Sequence, residues 1–285
     1  MRDLFNNRTA ILVSKHKKET VISPLLKQHF NIDLQVALTV DTDMLGTFSG
    51  EVERKHDQHE TARLKIENAR EYYPNENLFI ASEGSFNPHP EAPVVTVNTE
   101  LILLVDYLNN IEIAGWYKTY NTNLAQREIS SNVELIDFVN DIGFPANGII
   151  LSYKTEGKPI VVKKDANSLD ALVALFDELK AITGSNTLTA QTDMRACYNL
   201  PRMDSIRMCT INLIDNMKSV CPKCDTPGFT VNSSKPGLPC SLCGMSTRSV
   251  LYYEYKCNKC NYTHDKKFPL GKEVEDPTYC DFCNP

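Results

Sequence analysis

Cys221-Pro-Lys-Cys224, Cys240-Ser-Leu-Cys243, Cys257-Asn-Lys-Cys260 and Cys280-Asp-Phe-Cys283 are four short knuckles near the end of the chain, and they decide how it is divided. Two residues between cysteines let a tight turn present both sulfurs to one ion, and two knuckles complete a tetrahedral shell. The spacers of 15 residues after Cys224 and 19 after Cys260 match the C-x2-C-x15–20-C-x2-C ribbon spacing. The expectation is two Zn2+ ions, each held by four thiolates. We pair the knuckles in chain order, first with second and third with fourth. The rival is an interleaved pairing, first with third. A closed shell of four sulfurs leaves no place for water or substrate, so both zincs are expected to be structural.

Working outward, residues 1–196 hold none of the ten cysteines. Cys197 and Cys209 lie outside the knuckles and read as buried thiols, and His264 as a surface residue. A total of 285 residues suits two domains, which we place at 1–217 and 218–285. The apolar fraction of 42 % and charged fraction of 23 % are those of a globular protein. No run of about 18 uncharged apolar residues occurs, so no membrane span is expected. The first eight residues lack the apolar region of a signal peptide, which makes a cytoplasmic protein the expectation. A net charge of -6 argues against nucleic-acid binding by the whole surface, although a local basic patch is compatible with it.

The first domain alternates strands and helices. Arg8–Ser14 reads as a buried strand and Val21–Phe30 as a helix, with Leu34–Leu38 the next strand and a polar loop over 40–50. His59–Tyr72 is helical in period. Asn77–Ser82 reads as a strand ending in a turn at Glu83–Pro90. Leu101–Tyr107 and Ile111–Tyr117 flank Asn109-Asn110 as a hairpin. A helix over 133–142, strands at 147–152 and 159–162 around a Glu156-Gly157 turn, a helix over 169–182, a strand at 187–190 and a helix over 202–217 complete the set. The fold expected is α/β, a mixed sheet flanked by helices, followed by a small zinc-ribbon module.

Several polar stretches exceed what packing requires. Ser14-Lys15-His16-Lys17-Lys18-Glu19 sits where the first strand meets the first helix, the sheet edge at which α/β proteins bind ligands, and cations beside a helix N-terminus suit phosphate. Thr47–Glu51 with Arg54 leads to a helix start carrying Glu60, Arg63 and Lys65. Ser82-Glu83-Gly84-Ser85 offers a carboxylate able to hold a divalent cation against a triphosphate. Thr192-Asp193-Met194-Arg195 supplies an acceptor and a guanidinium fork, and Gly143–Gly148 a turn able to wall a pocket. The lysines and arginine of the cysteine module suit nucleic-acid contact, but acidic residues interleave, and a docking or oligomerisation module, a homodimer included, is the plainer reading.

Taken in order over residues 8–217, these stretches resemble the inosine-triphosphate-pyrophosphatase-like superfamily, which includes the Maf-like proteins. Ser14–Lys18 stands at its phosphate-binding turn, Glu60-Thr-Ala-Arg-Leu-Lys65 at its E-N-A-x-x-K helix, Ser82–Ser85 at its D-D-S-G turn, Gly143-Phe144-Pro145 at its G-Y-D-P turn and Asp193-Met194-Arg195 at its S-H-R. The resemblance implies a metal-dependent, pyrophosphatase-like hydrolase acting on a nucleotide or modified nucleotide. Glu60 and Glu83 would hold Mg2+, and Lys15, Lys18, Arg63 and Lys65 the phosphates. Ser85, Asp193 and Arg195 would contact the rest of the substrate. The alternative is a non-catalytic nucleotide- or nucleic-acid-binding protein that docks through the ribbons. The whole chain resembles a bacterial domain family still more closely, through Gly46–Glu51, Ala81–Phe86 with Pro88-His89-Pro90, Thr192–Ala196 and the terminal Cys283-Asn284-Pro285. That family carries no activity over to this chain.

Overall fold

The computed structural model describes residues 4–38, 56–90, 92–155 and 158–285. The polar loop expected over 40–50, its Thr47–Glu51 stretch, Arg54 and the Glu156-Gly157 turn lie outside the described residues. The chain divides into two compact units, Leu4–Asn110 with Ala114–Ile214, and Ile111–Ile113 with Asp215–Pro285. Among the described residues no helix is long and apolar enough to cross a membrane.

The larger unit contains two sheets where one was expected. The first has five strands, β1 (Thr9–Val13), β2 (Asp33–Val36), β3 (Leu78–Pro88), β4 (Thr96–Asp106) and β5 (Ile111–Thr119, of which Ile111–Ile113 are counted with the smaller unit), in the order β2-β1-β3-β4-β5. It is mixed: β1 runs parallel to β2 and β3, and β3 antiparallel to β4. Helix α1 (Glu19–Phe30) follows β1, and α2 (Gln58–Tyr72) precedes β3. Asp57 caps α2 by accepting from Glu60 N–H at 2.8 Å. The inward stripe of α2 is Thr61, Ala62, Lys65, Ile66 and Ala69, so positions 60 and 63 fall on its outer face. Ala62, Ile66 and Ala69 pack on Ile11, Val13, Phe79, Ala81, Leu101 and Leu103.

The expected turn at Glu83–Pro90 is instead the second half of β3, which pairs residue for residue with β4 from Leu78↔Asp106 to Pro88↔Thr96. Gly84 is what makes this possible. A Cβ there would collide with the Arg202 guanidinium and the Glu100 carboxylate, which lie directly over the strand. Glycine was read as a turn signal, whereas its role is to leave room for a buried ion pair.

The second sheet is antiparallel throughout, β6 (Gln126–Ile129), β7 (Ile149–Thr155), β8 (Lys158–Lys163) and β9 (Leu188–Thr192), in the order β6-β9-β7-β8. Helices α3 (Asn132–Ile142) and α4 (Leu169–Thr183) start on the side-chain caps Ser131 and Ser168 and stop at Gly143 and Gly184, both left-handed. Leu135, Phe138, Leu172, Phe176 and Leu179 bury their apolar faces against Ile129, Ile149, Leu151 and Ala190. A last helix, α5 (Leu200–Lys218), leads out of the unit.

The smaller unit is built on a three-stranded antiparallel sheet, β10 (Thr230–Pro236), β11 (Val250–Lys256) and β12 (Thr263–Lys267). The knuckles sit between and beyond these strands.

Candidate functional site

In the smaller unit the cysteines form two groups, Cys221, Cys224, Cys257 and Cys260, and Cys240, Cys243, Cys280 and Cys283. The pairing is therefore interleaved, first knuckle with third and second with fourth, and the expected sequential pairing is corrected. The reason is the strand inside each spacer. The seven residues of β10 separate the first two knuckles by about 23 Å at ~3.3 Å per residue. β11 then carries the chain back to the first group and β12 away from it again, so each end of the sheet collects two knuckles.

Sulfur separations of 3.7 Å for Cys221–Cys260, 3.6 Å for Cys224–Cys257, 3.9 Å for Cys240–Cys283 and 3.7 Å for Cys243–Cys280 exclude disulfides. They match the ~3.8 Å edge of a tetrahedron with Zn–S bonds of ~2.3 Å. The two groups fit zinc. Every knuckle closes with the same bond, from the N–H of the residue after its second cysteine to the carbonyl of its first: Asp225 to Cys221, Gly244 to Cys240, Asn261 to Cys257 and Asn284 to Cys280, at 2.8–2.9 Å. Asp225, Gly244 and Asn261 take positive φ, which these residue types tolerate. That repeated Asp, Gly or Asn after each pair is a sequence signal that spacing alone missed. Without a metal the crowded sulfurs share charge unevenly: hydrogen bonding with Thr226 lowers Cys224 to about 6 and backbone N–H groups lower Cys240 to about 7, while Cys260 and Cys283 are raised to about 12 beside the other thiols of their groups.

Of the remaining cysteines, Cys209 is buried and donates to the carbonyls of Gly115 and Glu100 at 3.2 and 3.4 Å, with burial raising its thiol far above the usual range. Cys197 is only half-buried, contrary to expectation. His264 is exposed on β12, as expected.

A cleft of about 800 Å³ opens in the larger unit. One wall comes from the N-terminus of α2 and from β3, with His56, Asp57, Gln58, Glu83, Ser85, Phe86 and Asn87. The other comes from β6, β9 and their flanks, with Leu124, Gln126, Gln191, Thr192 and Met194. The first wall is ordered by a chain of side-chain bonds. Asn87 donates to Ser85, Ser85 to Gln58, and Gln58 to the Thr99 carbonyl, at 3.2, 3.2 and 2.9 Å.

Behind Glu83 lies a buried charged cluster. Lys65 forms an ion pair with Glu83 Oε1 that lacks hydrogen-bond geometry. Lys18 Nζ donates to the carbonyl and hydroxyl of Ser82 at 3.2 and 3.1 Å. Arg202 Nε donates to Glu100 Oε1 at 2.9 Å, and both side chains are fully buried. With Lys18 protonated, three cations face two carboxylates.

Residues 65–285 match a family described as a domain of unknown function, DUF6671. The chain belongs to it. No curated protein matches the chain.

Within this DUF6671 chain the site residues expected from the sequence separate into four places. Glu83, Ser85, Lys65 and Lys18 come together on β3 or against it. Asp193 and Arg195 come together elsewhere. Arg195 donates to Asp193 at 2.6–3.1 Å and to Asp165 at 2.7 Å, and lies 4.5 Å over the Tyr198 ring, so its guanidinium is committed. Glu60 and Arg63 are exposed on the outer face of α2, and Glu60 pairs with His56 at 3.0 Å. Lys15 is half-buried in the turn after β1, where His16 and Lys17 take positive φ. Gln58, Asn87, Gln126 and Gln191 carried no motif and were missed. Burial and a cationic neighbour, Arg202, push the Lys18 ammonium down to about 7, against the opposing pull of Glu100 and Glu83.

Proposed function

We propose that the larger unit binds a nucleotide or modified nucleotide in its cleft. The observation that carries this reading is the cleft itself. It has the size of a small-ligand site, a polar wall with ordered hydrogen-bonding groups, and apolar contacts from Leu124, Phe86 and Met194 for a ring. The N-terminus of the 15-residue α2 borders the cleft, but the Asp57 carboxylate already caps it and opposes an anion there. One feature favours a phosphate at one end. The turn Ser14–Lys18 sits at the same sheet edge, because β1 and β3 are parallel, and its Lys18 reaches the residue beside Glu83. With Lys18 protonated, the cationic surplus of the buried cluster adds to the attraction.

The residues present do not fit the magnesium site implied by the resemblance. Among the described residues no group of three or more metal-binding side chains occurs outside the cysteines. Glu60 is not in the cleft wall, Asp57 caps α2, and Glu83 is paired with Lys65. No step is assigned to magnesium. Hydrolysis of the bound ligand is the second reading: the Glu83 carboxylate borders the cleft, although its burial and its pairing with Lys65 limit it as a proton acceptor. The cysteine module is read as a structural and docking element, since Lys235, Arg248 and Lys272 are each paired with carboxylates and are less available to nucleic acid.

Calorimetric titration of the zinc-loaded full chain with nucleoside mono-, di- and triphosphates tests the reading. Saturable binding that weakens at least tenfold in Gln58→Ala supports it. Absence of heat at millimolar ligand overturns it. Phosphate or pyrophosphate release that disappears in Glu83→Gln while binding persists would separate the hydrolase from the binding protein.

A further inference from the structure

Gln126 and Gln191 are direct partners in the antiparallel β6–β9 register, and both border the cleft. Directly opposed residues place their Cβ atoms about 5 Å apart on one face, so two carboxamides stand side by side on the wall from the second sheet. Lys154 Nζ lies 3.2 Å from Gln126 Oε1. An ammonium has no acceptor, so the atom facing it is the oxygen, and Nε2 is the end left for a ligand. Among the described residues the Gln191 carboxamide makes no side-chain hydrogen bond, which leaves it able to turn, while its backbone is held in the ladder with Gln126 and Ile150. Leu124 and Met194 flank the pair with apolar surface.

We propose that Gln126 and Gln191 read the edge of a nucleobase: Gln126 Nε2 donates to a ring carbonyl, and Gln191 turns to meet the neighbouring donor or acceptor. This rests on the nucleotide reading of the cleft and names its specificity-determining residues. Asp193 and Arg195, expected from resemblance to face the substrate, satisfy each other and do not border the cleft. A fixed donor beside an adjustable carboxamide favours bases with a carbonyl at that edge and leaves adenine with an amino group facing an N–H.

The experiment is calorimetric titration of the zinc-loaded full chain with the monophosphates of uridine, guanosine and adenosine, repeated for Gln126→Glu and Gln191→Leu. Gln126→Glu keeps the Lys154 contact and replaces the free donor with an oxygen. The wild type is expected to favour uridine or guanosine over adenosine by about tenfold. Gln126→Glu should reverse that order, and Gln191→Leu should reduce the ratio several-fold, both with unchanged melting temperature and zinc content. A wild type that binds all three equally, or a ratio unaltered in both variants, overturns this inference alone. A wild type that binds none overturns the cleft reading and this inference with it.

Discussion

Strand β11 of the smaller unit is half-exposed along its whole length, whereas β4 of the larger unit is buried without interruption from Glu100 to Asp106. The smaller unit buries few large apolar side chains, Met217, Phe229 and Leu238 among them, and four of its buried residues are zinc-site cysteines. Phe229, Tyr255 and Tyr262 stack around the first cysteine group, with ring centroids 5.6 and 5.8 Å apart. The larger unit has two apolar cores and sets its charged side chains between the strands and the cleft. One unit is held by coordination bonds at the ends of its sheet, the other by packing spread over many side chains. The first should fail all at once when a metal leaves. The second should be sensitive mainly where charge is buried.

Zinc removal is the strongest way to break this contrast. Structural sites of this type contribute about 10–16 kcal/mol of apparent binding energy, which for a unit with so little core is most of its folding energy. A strong chelator at neutral pH should abolish hydrogen-exchange protection in β10, β11 and β12 while leaving β1, β3 and β4 protected. Persistent protection of β11 in metal-free protein would show that the sheet is held by something other than the thiolates. The pairing itself can be counted. Cys221→Ser combined with Cys257→Ser removes ligands from one group only and should leave one zinc per chain by metal analysis. Sequential pairing would leave none.

The order of the elements was legible because hydrophobic period and punctuation agree with the fold almost everywhere. The helix read over 169–182 is α4, and the strands at 147–152 and 159–162 overlap β7 and β8. In the smaller unit β10, β11 and β12 were not read at all, and the two failures in the larger unit have physical causes. β6, at Gln126–Ile129, is short and shows three exposed residues of four, so it lacks the apolar run that marks a strand. The second half of β3 carries Gly84 and ends at Pro88, which mark turns locally, and only the buried Arg202–Glu100 pair, brought together from 102 residues apart, explains the glycine. The cysteine ligands were legible as a set, since spacing encodes a knuckle. Which knuckles meet depends on where the intervening strands run, and spacing does not encode that. The cleft was partly legible. Glu83 and Ser85 line it, but its carboxamides come from four separate stretches and form no motif.

A substitution in the buried cluster gives the next largest effect. Glu100→Ala removes the partner of a fully buried guanidinium, and breaking one side of such a pair costs about 3–5 kcal/mol. Urea unfolding of the zinc-loaded chain, followed by a probe in the larger unit, should show that loss, while zinc content stays at two per chain. Gly84→Ala should destabilise by a related route, because its methyl group displaces the same pair from above the strand. A loss under 1 kcal/mol in both variants would mean that water replaces the missing contacts and that the cluster is not dry.

The smallest effect is also the most specific to the cluster. Lys18 titrates at about 7 in the folded chain, and an exposed lysine near 10.5, with burial the main cause and Arg202 the next. Between these values the unfolded chain binds more protons than the folded one, so raising the pH from 7 toward 10 stabilises the fold; below about 7 both states are protonated and the penalty is present in full. One group contributes at most about 1.4 kcal/mol per pH unit. Zinc thiolates and other groups also titrate in this window, so the informative quantity is the difference between wild type and Lys18→Met at equal zinc load. That variant leaves Lys65 and Arg202 facing Glu83 and Glu100, two cations for two carboxylates. It should be more stable than the wild type at pH 7, and the advantage should shrink as the pH rises. Parallel stability curves across the window would mean that Lys18 keeps its proton through a contact with water or an anion, and the cationic surplus beneath the cleft would then be permanent.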